Sequence, residues 1–251
     1  MKCARATQCC VVLVISGLLA ACGGGNRSSD QTRAAVPTVS QFSGSYAFSA
    51  SGSDPADGSY FAAGSITADG KGGIVAGVED LNLGSGVDRG VPITGSYVVD
   101  PSGNVTVTLS DGTGTPSFFT LPLPSGSSVV KLNFNGTGTG TLQSQTTSGF
   151  SNVGTFSFTL KGEGEGTVTG SGTFTANASG TFTSGNENFQ DGTYTRDISP
   201  LTGTLSPPFD AGRGTAVIGS DIFSYYAVSQ SQIILAGLDD TTLIYGTATK
   251  Q

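Results

Sequence analysis

Two glutamates, Glu79 and Glu187, occupy matching positions in two similar stretches of the chain and are the best candidates for ligand binding. Each follows a glycine by two residues (Gly77 or Gly185) and precedes an apolar residue by two, and strand alternation puts all three on one face. A carboxylate beside an apolar side chain can line the mouth of a β-barrel and accept hydrogen bonds from a polar ligand. The alternative is a solvated charge near a strand end that discourages edge pairing.

Other groups for catalysis or metal binding are few. The chain has no histidine, which removes the commonest general base and zinc ligand, and no Gly-x-Ser-x-Gly elbow, so a Ser-His-Asp hydrolase is excluded. The loops SGSDPADGS (with Asp54 and Asp57) and KGEGEGT lack the spacing of a calcium loop. We therefore expect no catalytic residue, no metal and no cofactor. A glycosidase-type carboxylate pair remains open among the 18 acids, because sequence does not measure their separation.

The remaining reactive side chain is the thiol of Cys22. Two early cations, Lys2 and Arg5, precede an uncharged run of 13 residues, Cys9–Ala21, which is typical of a secretory signal and shorter than the roughly 20 residues of a membrane span. The segment Leu19-Ala20-Ala21-Cys22 resembles the lipobox of bacterial lipoprotein precursors. That resemblance implies cleavage before Cys22 and attachment of its thiol to a diacylglycerol. Since Gly23 and not Asp follows, it also favours the outer membrane.

The other cysteines agree with this interpretation. Cys3, Cys9 and Cys10 leave with the signal, so the mature chain has no disulfide. Acyl chains on Cys22 would anchor the protein to the membrane permanently. The polar, Gly- and Ser-rich stretch that follows reads as a flexible tether. We expect a signal peptide at 1–21 and a lipidated cysteine with its tether at 22–40.

Composition predicts an all-β protein. Glycine is abundant at 39 residues, charged residues make up only 12%, and Thr, Val, Ile, Phe and Tyr are frequent. No stretch after Cys22 keeps the apolar period of a helix. The net charge of −7 and a pI near 4.4 oppose nucleic acid or anionic surfaces as partners, because both reward clusters of Lys and Arg.

An internal duplication organises the body. Ser65–Asn82 matches Thr173–Gln190, and Pro92–Gly95 matches Pro200–Gly203 at the same offset of 108 positions. Such a period indicates a duplicated domain and not a solenoid. We expect two β repeats, at 41–146 and 153–251. The duplicated Gly- and Thr-rich body also resembles β-rich repeat lipoproteins without a known activity.

Each repeat is predicted to hold about eight short antiparallel strands. Turn residues separate them, among them Asp69, Asp100 and Asn177. This spacing favours an up-and-down barrel, with a two-sheet sandwich as the alternative. The opening Gly-x-aromatic-x-Phe of each copy weakly resembles the first strand of lipocalin- and avidin-like barrels. The strands predicted in the first copy are Ser45–Ser51, Gly58–Ala68, Gly73–Leu81, Ile93–Val99, Asn104–Leu109, Ser117–Leu123, Val129–Phe134 and Thr139–Gln145.

Three functions follow from these observations. The leading hypothesis is a lipid-anchored envelope protein whose two β domains serve, without catalysis, as an interaction or structural module. The alternative is a small-ligand carrier with Glu79 and Glu187 at its cavity mouths, which requires an apolar cavity inside a barrel. A carboxylate-based glycosidase is the third.

The aromatic segment Phe223–Val228 is expected to send alternate residues into the core, and its other residues are candidates for a sugar-contacting patch.

Overall fold

The computed structural model describes residues 36–55, 58–83, 86–112, 116–126, 129–239 and 242–251. The predicted signal peptide, Cys22, most of the predicted tether and Asp57 lie outside these ranges. The described part consists of antiparallel strands and two single-turn 3₁₀ segments, Val39–Gln41 and Asp210–Gly212, which confirms the all-β prediction. Within the same residues, no helix has the length and apolar character needed to span a membrane.

The first nine strands form one sheet that closes on itself. Strand β1 pairs with β2 on one side and with β9 on the other. From β9 the order of neighbours runs back through β8, β7, β6 and β5 to β3, and β3 pairs with β2, which closes the sheet. Strands β4 and β5 pair with successive parts of β3. The strands are β1 (Ser43–Asp54), β2 (Gly58–Asp69), β3 (Gly73–Asn82), β4 (Val87–Pro92), β5 (Thr94–Val99), β6 (Asn104–Ser110), β7 (Ser117–Pro122), β8 (Val130–Phe134) and β9 (Gly138–Ser144).

The second nine strands repeat this plan. Strand β10 pairs with β11 and β18, and an isolated bridge between Thr181 and Thr204 joins β14 to the chain just before β12. The up-and-down barrel is therefore the arrangement of both copies, and the sandwich is not. The strands are β10 (Gly154–Glu163), β11 (Thr167–Ala176), β12 (Phe182–Asp191), β13 (Tyr194–Ile198), β14 (Gly203–Leu205), β15 (Arg213–Ile218), β16 (Asp221–Ala227), β17 (Gln232–Gly237) and β18 (Leu243–Lys250).

The repeated Pro-aliphatic-Thr-Gly motif marks the place where one long strand is interrupted in each barrel. The N–H of Ile93 donates to the carbonyl of Gly77, and the N–H of Leu201 donates to the carbonyl of Gly185. Both aliphatic side chains are buried in their cores. The preceding proline has no N–H to give to the ladder, so the strand breaks there in both copies.

The predicted turn residues act as turns. The side-chain oxygens of Asp69, Asp100 and Asn177 each accept hydrogen bonds from the backbone N–H groups two and four residues further on. Short polar side chains favour this local bonding, which competes with the sheet ladder and reverses the chain.

Strand β4 of the first barrel is not among the eight strands that the sequence predicts. Its sequence, Val-Asp-Arg-Gly-Val-Pro, contains residue types that are depleted in strands. It forms because β3 offers an adjacent ladder, and a bulge at Arg89-Gly90 lies opposite Asp80. The N–H of Gly90, with φ of 59°, donates to the Asp80 carboxylate over 2.8 Å.

Side chains fill the interiors of both barrels. Phe48 lies 5.7 Å from Phe119, centroid to centroid, in the first barrel, and Phe174 lies 4.1 Å from Phe182 in the second. An eight-stranded barrel is just wide enough for such a filling or for one small ligand. In the described residues, these aromatic side chains occupy space that the carrier hypothesis requires as an apolar cavity.

A third apolar cluster lies between the barrels. It joins the outer faces of β1–β3 to the outer faces of β16–β18, and residues 36–251 belong to one compact unit. Independent folding of 41–146 and 153–251 therefore stays a prediction. The cluster consists of Ala47, Phe61, Ala63, Val78, Tyr226, Val228, Ile234, Ala236 and Leu243.

The two copies differ where they meet. Phe61 and Ala63 of β2 face the second barrel, whereas the matching outer positions of β11 are Thr169 and Ser171. On β17, Ile234 and Ala236 face the first barrel, whereas the matching positions of β8 are polar, Lys131 and Asn133. Each barrel thus carries one apolar outer face, and the two faces are different parts of the repeat.

A buried ion pair crosses this interface. The guanidinium of Arg213 donates to both oxygens of the Asp80 carboxylate, over 2.8 and 2.7 Å, and its Nη2 also donates to the hydroxyl of Ser224. The hydroxyl of Tyr226 donates to Asp80 as well. Asp80 is 2% exposed. With the N–H of Gly90, four hydrogen bonds from three residues compensate its charge, as a buried carboxylate requires.

We expect the Asp80→Ala substitution to lower the free energy of unfolding by about 3 kcal/mol, because the buried guanidinium of Arg213 would lose its partner. Urea unfolding followed by circular dichroism measures this. The Glu165→Ala variant, which removes an exposed carboxylate, is the control and should change stability by less than about 0.5 kcal/mol. An unchanged midpoint for Asp80→Ala would contradict the structural role of the pair.

Candidate functional site

The two predicted glutamates lie inside the barrels. Glu79 pairs with Gly64 of the first barrel, and Glu187 pairs with Gly172 of the second. The side chains next to each glutamate on the same face of the sheet belong to the core of its barrel. Glu79 is 7% exposed and Glu187 is 2% exposed. The expectation that each shares a face with its glycine and its apolar neighbour agrees with this register, whereas the alternative of a solvated surface charge is wrong.

In the second barrel an arginine neutralises the buried glutamate. The Nε and Nη2 of Arg196 lie 3.0 Å from Oε2 of Glu187, and Nη2 lies 2.6 Å from Oδ2 of Asp221. Its Nη1 donates to the hydroxyl of Ser220 over 2.7 Å, and the guanidinium stacks 4.5 Å above the ring of Phe189. One guanidinium therefore engages two carboxylates and a hydroxyl, although Oε1 of Glu187 has no hydrogen-bond partner in the described residues.

In the first barrel, the position equivalent to the Arg196 site is a small cavity of about 40 Å³. Glu79 lines it together with two exposed carboxylates, Asp88 and Asp111, and the hydroxyl-bearing Ser117. The apolar part of the wall consists of Leu81, Val91, Ile93 and Leu109. We call this cavity the Glu79 pocket. Oε1 of Glu79 has no hydrogen-bond partner in the described part of the chain.

Sheet register identifies the equivalent positions. Leu81 pairs with Asp88 in the first barrel, and Phe189 pairs with Arg196 in the second, at the common offset of 108. The fold therefore puts a carboxylate, Asp88, where the other copy puts a guanidinium. The Glu79 pocket keeps the buried glutamate of the second site and has Asp88 in the place of the Arg196 guanidinium.

Burial and neighbouring charge determine the protonation of both glutamates. Loss of hydration, together with the smaller effect of the carboxylates of Asp111, Asp80 and Asp88, raises the pKa of Glu79 to about 8. Burial also raises the pKa of Glu187, and the positive charge of Arg196 partly offsets that rise. Glu79 is therefore largely protonated at neutral pH.

A second candidate site is an open groove between the barrels, with a volume of about 410 Å³. At its floor the rings of Phe61 and Tyr245 stack at 4.2 Å, and Nζ of Lys161 lies 5.1 Å from the Tyr245 centroid. The walls carry hydroxyl side chains, namely Ser49, Ser51, Thr139 and Thr141 of the first barrel and Thr159 and Thr247 of the second. We call it the interbarrel groove.

The groove continues into a neighbouring hollow of about 550 Å³ on the outside of the first barrel. The two share Ser51, Thr139, Thr141 and Lys161, and the hollow adds Lys131 and Asn133. Together they form an elongated, open surface, which suits a stretch of polymer better than a fully enclosed small molecule.

Of the two expectations for the segment Phe223–Val228, burial of alternate residues is met and an exposed patch is not. Phe223, Tyr225 and Ala227 point into the second barrel as predicted. The other face carries Tyr226 and Val228, and it is covered by the first barrel instead of forming an exposed sugar-contacting patch. The sequence contained a signal of this burial, because both faces of the strand are rich in aromatic or aliphatic residues.

Sequence reasoning missed several residues of both sites. Arg196 and Asp88 were not singled out, although their matching repeat positions and opposite charges were visible. Lys161 and Tyr245 gave no signal, because they meet only when the two barrels pack together.

Arginines hold two of the three buried carboxylates in the described residues. The buried carboxylates in the described residues are Glu79, Asp80 and Glu187. Arg213 engages Asp80, and Arg196 bridges Glu187 to Asp221. Among the described residues, no group of three or more His, Cys, Asp or Glu side chains is arranged to hold a metal ion.

No protein-family model and no curated protein matches the chain. Similar solved structures include an AttH protein from Nitrosomonas europaea, with 10% identity, a TM-score of 0.27 and coverage of 90% of this chain and 97% of that one. Kievitone hydratase from Nectria haematococca has 10% identity, a TM-score of 0.24 and coverage of 83% and 88%. Intact Ap-TbpB, with N and C lobes, has 6% identity, a TM-score of 0.29 and coverage of 82% and 76%. At these TM-scores the likenesses carry no argument about this chain.

The raised pKa of Glu79 predicts a pH-dependent stability. The folded protein holds a proton on Glu79 up to a pH of about 8, whereas the unfolded chain releases it near 4.5, so stability falls as pH rises between these values. We expect Glu79→Gln, which stays neutral, to remove most of this fall. Relative to the wild type it should gain a few kcal/mol between pH 5 and pH 8.

Urea unfolding at several pH values measures the difference. The control is Glu165→Gln, which neutralises an exposed carboxylate and should keep the wild-type pH profile. Parallel profiles for the wild type and Glu79→Gln would show that Glu79 is ionised in the folded state, against the prediction.

Proposed function

We propose that this protein is a lipid-anchored, non-catalytic binding module of the cell envelope, attached through Cys22 and favouring the outer membrane. The lipobox-like segment and the Gly- and Ser-rich stretch after it support the anchor. The interface between the barrels supports one rigid binding body, because apolar contacts and a buried ion pair hold the two repeats together. The envelope function needs no catalytic residue, metal or cofactor.

The interbarrel groove carries the binding part of the proposal. Its walls present hydroxyl groups, which both donate and accept hydrogen bonds, as do the hydroxyls of a sugar. The groove threonines are β-branched and sit on strands, so little side-chain freedom is lost when a ligand binds. The ligand class that fits is an uncharged polysaccharide chain. The net charge of −7 disfavours an acidic polymer.

The carrier and the glycosidase are less well supported. Aromatic side chains occupy the barrel interiors, and the buried acids are paired or face the small Glu79 pocket. Binding on the outside of the barrels, across the interface, requires neither an internal cavity nor an acid pair.

The anchor is tested by the Cys22→Ser substitution. We expect the variant to move from the membrane fraction to the soluble fraction of the cells, because no thiol remains at the lipobox position to accept the diacylglycerol. Fractionation and immunoblotting measure the distribution. The control is Cys10→Ser, which changes a cysteine within the predicted signal and should leave the protein in the membrane fraction. Membrane retention of Cys22→Ser would contradict the anchor.

The groove is tested by a Thr141→Val/Thr247→Val double variant, which removes one hydroxyl from each barrel and keeps the side-chain shape. Affinity electrophoresis in gels that contain dextran or a soluble β-glucan measures binding. We expect the wild type to be retarded by a neutral polymer and the variant to bind about ten-fold more weakly, as the loss of two hydrogen bonds implies.

The matched control is Thr167→Val/Thr169→Val, which removes two exposed hydroxyls from β11 and should bind as the wild type does. Equal retardation of both double variants would contradict a role for the groove. Retardation of the wild type by polygalacturonate alone would contradict the uncharged ligand class.

A further inference from the structure

The second barrel shows how this fold binds a guanidinium group. The planar head of Arg196 enters the end of the barrel, donates to Glu187, Asp221 and the hydroxyl of Ser220, and lies against the ring of Phe189. A guanidinium has five N–H donors in a fixed fork, so it can serve two carboxylates and a hydroxyl at once.

The first barrel has acceptors at this end, and among its described residues no arginine stands at the position of Arg196. Glu79 corresponds to Glu187, Leu81 to Phe189, and Ser117 lies at the start of β7 as Asp221 lies at the start of β16. The arginine is replaced by Asp88, and Asp111 adds a further carboxylate at the rim.

A buried group faces this space without a partner. Glu79 is more than nine-tenths buried, it lines the pocket, and its Oε1 has no hydrogen-bond partner in the described residues. A buried acceptor left unsatisfied costs about 1–3 kcal/mol, so it normally has a partner. The pocket volume of about 40 Å³ holds about three water-sized groups, which is close to the size of a guanidinium head.

We propose that the Glu79 pocket binds the guanidinium group of an external ligand, which takes the place that Arg196 takes in the second barrel. Glu79 at the base accepts from the inner N–H groups, and Asp88 and Asp111 accept at the rim. The apolar side chains of Leu81 and Leu109 contact the planar faces of the group. This binding site is separate from the interbarrel groove and does not depend on the proposed glycan.

Access and charge favour such a ligand. Asp88 and Asp111 are exposed, so the pocket opens to solvent through its acidic rim. A cleft lined by one sign of charge concentrates ligands of the opposite sign. The same ligand chemistry is available from a free guanidine metabolite and from an arginine side chain of a partner protein, and the two differ in what extends beyond the rim.

Binding is coupled to a proton. The charged groups that face Glu79 are the carboxylates of Asp88 on β4 and Asp111 after β6, with Asp80 adjacent on β3. A bound cation favours ionised Glu79, so the proton leaves as the ligand enters. Because the pKa of Glu79 in the free protein is about 8, affinity should rise as the pH increases towards 8 and then level off.

The test uses agmatine, which carries one guanidinium, in thermal unfolding and calorimetric titration of the protein at pH 6 and pH 8. We expect agmatine at millimolar concentration to raise the Tm, with tighter binding at pH 8. The peptide Gly-Arg-Gly tests the second source, and tighter binding of the peptide than of agmatine would assign the site to a protein arginine. Putrescine and Ca²⁺ are the comparison cations.

Two substitutions separate the site from general charge effects. Glu79→Gln should weaken agmatine binding about ten-fold or more, because the buried acceptor loses its charge. Asp88→Arg supplies the missing guanidinium within the chain, and it should raise the Tm and abolish agmatine binding. The exposed Glu165→Gln should bind as the wild type does.

Several results would overturn the proposal. One is the absence of any response of the wild type to agmatine or the peptide at pH 8. Another is an equal response to putrescine, which would mean that charge alone is recognised. A response to Ca²⁺ alone would identify a metal site. Unchanged agmatine binding in Asp88→Arg would place the ligand elsewhere. The Asp88→Arg measurement tests the proposal even if Glu79→Gln fails to fold.

Discussion

The buried contact between the two barrels is the constraint on which the rest of the arrangement depends. Asp80 and Arg213 leave water only because their geometry is bidentate and because Tyr226 and the backbone of Gly90 satisfy the remaining acceptor sites. A buried ion pair adds little to stability against an apolar equivalent, but it tolerates few alternative arrangements. The pair thus selects one orientation of the barrels, and that orientation creates the interbarrel groove.

The interface joins different faces of the repeat, which has a consequence for assembly. An interface between unlike faces can propagate from copy to copy, as in an open chain of subunits. Here the unused counterparts are polar, with Thr169 and Ser171 on one barrel and Lys131 and Asn133 on the other. These polar outer faces lack the apolar surface that joins the two barrels, as the outer faces of capping repeats do in repeat proteins.

Duplication also produced one scaffold with two charge arrangements at the barrel end. Both copies keep the residues that shape this end of the barrel. Gly77 and Gly185 leave room, Ile93 and Leu201 fill the core, and a glutamate lies two residues after each glycine. The counter-charge differs between copies. Asp88 in place of arginine, and Ser117 in place of Asp221, are the differences between a glutamate paired with an arginine and a pocket with an acidic lining.

The sequence by itself determined the strand series, the turns and the duplication, because strand periodicity and turn chemistry are local. It also placed Glu79 and Glu187 on the face of their glycines. It did not predict β4, whose charged and Gly-Pro sequence forms a strand only beside β3. Tertiary structure alone decided that both glutamates are buried, that Tyr226 lies in an interface, and that Lys161 meets Tyr245. Closure of the sheets and packing of the barrels join residues far apart in the chain, and local pattern does not encode those contacts.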